Sequence, residues 1–316
     1  MIEMMKRRKG GRGSPWLTME KRRWIGFVYI LLGASFWGIG GTVAQYLFQY
    51  ENVSVEWLVS FRLVVSGILL LIIAQIQNRK TNIFRIFLNK HDTIQLLIFS
   101  LFGMLAVQYT YMESIHLGNA AVATLLQYLS PIYIILFLIL KRTSSLKGRD
   151  IIAVLLAFTG TLLLLTNGEF NRLSFPTTAV LWGMLSGVTL AFYTLYPKQL
   201  LQKWGSTTVV AWGMFIGGVI LSIFHPPWQV HLSDWTLVTG FCLFFVVIFG
   251  TMLAFWFYLE SLAYLKPQET SVLGTVEPLT AIIASVLWLQ IPFGSYQMIG
   301  TCFILMMVFV LSLSKN

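Results

Sequence analysis

A carboxylate and a proline stand side by side at Glu277-Pro278, eight residues after Glu269 in the apolar stretch 269–289. A proline within a helix withdraws one backbone donor and frees the carbonyl four residues before it. An unpaired carboxylate in lipid costs several kcal/mol, so Glu277 is expected to be protonated, paired or facing water. Such a group suits proton carriage or contact with a cation; the bland alternative is a carboxyl bonded to backbone that Pro278 loosens. Arg62 lies within a second apolar stretch, 57–76. Either its side chain snorkels to the headgroups, or it faces the interior and pairs with Glu113 or Glu56. An interior guanidinium could also hold a substrate carboxylate through a forked pair of hydrogen bonds.

These residues belong to a duplicated pattern. Tyr111-Met112-Glu113-Ser114 returns 147 positions later as Tyr258-Leu259-Glu260-Ser261, Phe102-Gly103 as Phe249-Gly250, and Pro131 as Pro278. Leu126, Ile135 and Leu140 also find identical partners at this offset. Chance identities in so apolar a stretch would be about three, so the match signals an internal repeat. Glu113 and Glu260 read as hairpin or interface residues, with a gate at each mouth as the alternative. Where the second copy has Glu277, the first has Ser130, so the halves are chemically unequal.

The elements that position these groups must sit in a membrane. The 316 residues are 57% hydrophobic and 11% charged, with 15% aromatics and a mean hydropathy of +0.75. Soluble domains carry about 25% charged residues. About 20 helical residues cross a hydrocarbon core, and ten runs qualify: 24–47, 57–76, 94–114, 119–140, 150–166, 179–200, 207–224, 236–260, 269–289 and 295–313. Thr166-Asn167-Gly168 is a stop signal for the fifth. Twenty of the 22 lysines and arginines fall in the N-terminal segment and in alternate loops that share its side. That asymmetry places both termini in the cytoplasm. It also explains the net charge of +10 as a topology signal beside anionic lipid, not a nucleic-acid footprint.

Ten spans divide into two halves of five that enter the membrane from opposite sides, an all-α arrangement typical of transporters. The expected organisation is a basic, disordered cytoplasmic segment 1–23, a first five-helix repeat 24–166, an outer linker 167–178, an inverted second repeat 179–313 and a tail 314–316. Helices interrupted by proline persist in lipid where they line a cavity or pack on protein. Pro131 and Pro278 therefore mark the repeat interface as the expected substrate site. Gly40-Gly41 would allow either close packing or a bend of the first span. Trp37, Tyr128 and Trp182 lie deep enough to line a pocket for a flat, apolar or quaternary-ammonium solute, although helix packing accounts for each one singly. Cys242 and Cys302 have no ligand partners at metal spacing, and the histidines lie in or beside loops, so no metal site or catalytic set is expected.

The second-span sequence FRLVVSGILLL, the fourth-span AAVATLLQYLSPIY and the ninth-span ETSVLGTVEPLTAIIASVLW resemble the drug/metabolite transporter superfamily, and its EamA-like family in particular. The resemblance runs from Trp24 to Leu313. It implies two inverted five-helix repeats around a central cavity, alternating access, and in many members use of the proton gradient. It carries Pro131, Glu277 and Pro278 over as site residues, but fixes neither substrate nor oligomeric state. The sequence reading is a secondary transporter in a bacterial inner membrane. Export of an amino acid or derivative leads, import of a small amine such as choline is the alternative, and a channel is the alternative of another class. No cofactor beyond a proton gradient is expected, and the partners are a small-molecule substrate and membrane lipid.

Overall fold

The computed structural model describes residues 15–77, 82–143, 147–228 and 235–313, all in helices and short connections. Among the described residues, ten helices are long and apolar enough to cross a membrane. They are α1 (Pro15–Tyr50), α2 (Val55–Gln77), α3 (Lys90–Leu117), α4 (Ala120–Leu140), α5 (Gly148–Thr166), α6 (Thr177–Leu195), α7 (Ser206–Phe224), α8 (Leu237–Ser261), α9 (Pro267–Leu287) and α10 (Ser295–Ser312). α1 begins at Pro15, so residues 15–23 are helical where disorder was expected; residues 1–14 and the tail 314–316 lie outside the described residues. α6 stops at Leu195, short of the expected 200, because Pro197 cannot donate to the helix ladder. The chain resumes as a short helix, Lys198–Trp204. The stop after α5 is as expected, with Asn167 capping the helix in the left-handed conformation at φ 48°.

Packing between the halves is reciprocal. α3 packs on α6 and α7, while α8 packs on α1 and α2. α4 packs on α6 and α9 packs on α1; α2 faces α7, α5 faces α10, and α4 faces α9. Exchanging each helix for the one five places along leaves this set unchanged. The duplicated Phe-Gly pair falls in a π-helical turn in both copies, Phe99–Leu105 in α3 and Ile248–Leu253 in α8. Such turns widen the helix locally and recur at functional sites.

Close approach holds the pairs together, since lipid leaves little hydrophobic drive between helices. A Cβ on Gly67 would lie 2.6 Å from the Phe215 nitrogen, and one on Gly218 would lie 2.7 Å from the Val64 nitrogen. Those distances leave no room for a methyl group, so α2 and α7 meet nearly backbone to backbone. Gly40 performs the same service between α1 and α8: its Cβ would sit 2.7 Å from Gly250 Cα. α1 runs unbroken through Gly40-Gly41. The pair therefore makes a close crossing and not the bend that adjacent glycines allow.

Candidate functional site

Both proline-bearing helices are interrupted at the same repeat position. α4 breaks at Tyr128–Leu129, dividing into Ala120–Gln127 and Ser130–Leu140; α9 breaks at Thr275, dividing into Pro267–Gly274 and Val276–Leu287. Ala120–Gln127 packs against Val276–Leu287. Beyond the breaks the segments separate: Ser130–Leu140 turns to α5 and α6, and Pro267–Gly274 to α1 and α10. The space between them is a cavity of about 400 Å³, within the range that holds small organic ligands. It extends from Arg62 and Tyr111 to Thr270 and Ser271 near the start of α9 and Thr194 near the end of α6. Those last residues lie on the side from which α1 starts.

On the opposite side, contacts gather around the second half of α1. Gln45 Oε1 accepts from the Ala120 backbone nitrogen of α4 at 2.9 Å, and Tyr46 stacks on Trp288 with ring centroids 5.3 Å apart. Just past α1, Glu51 accepts from the hydroxyls of Thr236 and Thr239 at the start of α8. Its counterpart in the other half joins the start of α3 to the segment after α6, where Lys203 Nζ and Trp204 Nε1 donate to Asp92 at 2.6 and 3.0 Å.

Arg62 is 3% exposed and borders the cavity. Its Nη2 donates to the side-chain oxygen of Gln108, its Nε has no acceptor, and among the described residues no carboxylate pairs with it. Of the two orientations the sequence allowed, the interior one is found, with a different partner. Arg62 does not snorkel, because its guanidinium turns inward, and it meets Gln108 of α3 instead of Glu113 or Glu56. Glu56 is instead approached by the Tyr109 hydroxyl at 3.5 Å. Gln108 was missed because an uncharged partner leaves no charge pattern in sequence.

Glu277 also borders the cavity, without a cation partner among the described residues. Tyr128 reaches it from α4: the hydroxyl donates to the Gly274 carbonyl at 2.6 Å and lies 3.2 Å from Glu277 Oε2. Gly274 is four residues before Pro278, so Tyr128 satisfies the carbonyl that the proline deprives. Trp37, edge-on to Phe255 at 4.8 Å, lines the same cavity with Gly40, Gly41 and Pro131.

The remaining expected site residues lie elsewhere. Pro278 is buried behind the cavity wall. Trp182 of α6 sits against Tyr109, centroids 5.9 Å apart, outside the lining. Glu113 is part-buried on α3, also outside it. Glu260 accepts from Gln77 Nε2 at 2.7 Å and from Trp256 Nε1 at 3.3 Å, tying α8 to the end of α2. Glu269 accepts from the Lys266 backbone at the start of α9 and pairs with Arg23 of α1 at 2.5 Å.

Known proteins resemble this chain in sequence and fold. A sequence model of the EamA-like transporter family matches residues 24–166 and 177–313, one match per half. An uncharacterised inner membrane transporter, YicL of Salmonella typhimurium, is 36% identical over 292 residues, covering 92% of this chain and 96% of its own. An uncharacterised transporter of Archaeoglobus fulgidus is 22% identical over 301 residues, covering 92% and 98%. A solved crystal structure superposes with a TM-score of 0.61 at 17% identity over 92% of this chain and 96% of its own, a likeness of fold. The two family matches, the ten spans and the cavity between their halves agree: this chain belongs to the EamA-like transporter family and is a multi-pass membrane transporter.

Proposed function

We propose that the protein is a secondary transporter exporting a small amphoteric metabolite, an amino acid or a derivative, across the inner membrane. One observation carries this reading. Arg62 and Glu277, opposite in charge and each without an ionic partner among the described residues, border one cavity whose other walls are largely apolar and aromatic. A solute with a carboxylate and an ammonium balances both charges. A purely cationic or anionic solute leaves one uncompensated in a low-dielectric site, at a cost of several kcal/mol. The two halves act as inverted copies, and the proline breaks let the paired segments of α4 and α9 close on one side as they part on the other. With the N-terminus in the cytoplasm, as the lysine and arginine distribution reads, the cavity is accessible to a cytoplasmic solute. Glu277 is the group proposed to exchange a proton with the gradient.

The test is flux through purified protein in liposomes loaded with neutral amino acids, with and without an imposed proton gradient. The expected result is gradient-driven amino-acid flux in the outward orientation that is lost in Glu277→Gln at unchanged yield and thermal stability. Flux no greater than in protein-free vesicles, or wild-type flux in the variant, would sink the reading. Import of a small amine is the second reading. It draws on the aromatic rings of Trp37, Tyr111 and Tyr258 on the same wall as Glu277, but gives Arg62 no ligand.

A further inference from the structure

We infer that Glu277 Oε2 and Tyr128 Oη together form a subsite for a protonated amine bearing at least two N–H groups, and that Tyr128 selects against quaternary amines. The inference rests on the transport reading above and narrows its substrate class. A tyrosine hydroxyl has one proton to give. The 2.6 Å bond commits that proton to the Gly274 carbonyl, which has lost its usual donor to Pro278. The same hydroxyl is within donating reach of Glu277 Oε2 at 3.2 Å, but with its one proton held by Gly274 it turns lone pairs toward that oxygen. With Glu277 ionised, two acceptors then face each other with no donor shared between them.

Among the described residues, no other side chain hydrogen-bonds to the Glu277 carboxyl. Arg62 is engaged with Gln108, and the Tyr111 hydroxyl is within 2.8 Å of Thr124 Oγ1. Tyr193 and Tyr258, the other ionisable groups of the cavity, are not cations. α1 contributes Trp37 and glycines to this wall, and no charge.

An ammonium nitrogen can sit at ordinary hydrogen-bond distance from two oxygens 3.2 Å apart, giving one N–H to each. A tertiary ammonium has one N–H and satisfies one acceptor. A quaternary ammonium has none, and its methyl groups leave both acceptors desolvated and unpaired. Because the Tyr128 proton is already committed, the same pair disfavours an anion. The aromatic wall alone would accept a quaternary amine; the hydrogen-bond count at Tyr128 and Glu277 is what rejects it.

The experiment measures binding to the detergent-purified full chain by thermal shift and equilibrium titration. The probes are leucine and its N-methyl, N,N-dimethyl and N,N,N-trimethyl forms, with isopentylamine and its trimethyl form as a carboxylate-free series. Affinity is expected to fall about 10- to 100-fold from the primary to the trimethyl member in both series, the loss of one or two hydrogen bonds to a charged group. Tyr128→Phe and Glu277→Gln should each shrink that ratio. Equal affinity across a series in the wild type, or binding by neither series, overturns the inference. The wild-type series decides the matter even if a variant fails to fold. The amphoteric reading fails separately: isopentylamine would then bind as tightly as leucine while the preference for N–H groups persists.

Discussion

In α4 the helix breaks at Tyr128–Leu129, just ahead of Ser130-Pro131; in α9 it breaks at Thr275, just ahead of Glu277-Pro278. The 147-residue offset sets Tyr128 against Thr275 and Gln127 against Gly274. Each proline deprives one carbonyl, that of Gln127 in α4 and that of Gly274 in α9. The Tyr128 side chain crosses between the halves to cap Gly274, whereas the Thr275 hydroxyl turns back onto Val272 of its own helix at 2.6 Å. No side chain among the described residues donates to the Gln127 carbonyl, and Gln127 borders the cavity. The backbone device is thus duplicated and its closure is not. Divergent side chains at the two breaks, Ser130 against Glu277 and Tyr128 against Thr275, make them unlike: one carries a carboxyl and a tied carbonyl, the other neither.

The largest effect that would test this asymmetry comes from moving the carboxylate. Flux in the double variant Ser130→Glu with Glu277→Ser is expected to fall about 100-fold, the scale of losing a desolvated charge contact. Wild-type flux would instead make the breaks interchangeable. Arg62→Leu should weaken amino-acid binding by about 2 kcal/mol or more and leave carboxylate-free amines nearly untouched, as titration with leucine and isopentylamine would show. Tyr128→Phe leaves the Gly274 carbonyl uncapped and should cost about 1–2 kcal/mol in unfolding assays, against about 0.5 kcal/mol or less for Thr275→Val. Smallest is the contrast between prolines. Pro131→Ala gives the Gln127 carbonyl a new donor and should stabilise by about 1 kcal/mol, while Pro278→Ala should gain less because Tyr128 already serves Gly274. Equal gains would mean that the Gln127 carbonyl is already satisfied.

Much of this comparison was legible in the residues. The paired prolines, the Phe-Gly echo and Glu277 all announce themselves by type and spacing, and ten apolar runs follow from the thickness of a bilayer. The π-helical turns were not legible, because a repeated Phe-Gly does not say which hydrogen-bond register the helix adopts around it. The Tyr128 bridge was hidden for a different reason. Tyr128 and Gly274 are 146 residues apart, and their meeting depends on how α4 lies against α9. Trp182 took the packing alternative, against Tyr109: a helix facing both lipid and protein does not reveal in its sequence which face meets the cavity. Arg62 was recognised as unusual, yet its glutamine partner has no charge to betray it.

The unmatched Arg62 and Glu277 also bear on the return journey of an empty carrier. A cavity that closes around an amphoteric solute closes around balanced charge; one that closes empty must carry a guanidinium and a carboxyl, the latter ionised or freshly protonated, without ionic partners through the same movement. The loaded protein should therefore cycle faster than the unloaded one. Vesicles preloaded with unlabelled solute on the far side are expected to accelerate uptake of the labelled form, so that this transporter works more readily as an exchanger than as a one-way conveyor.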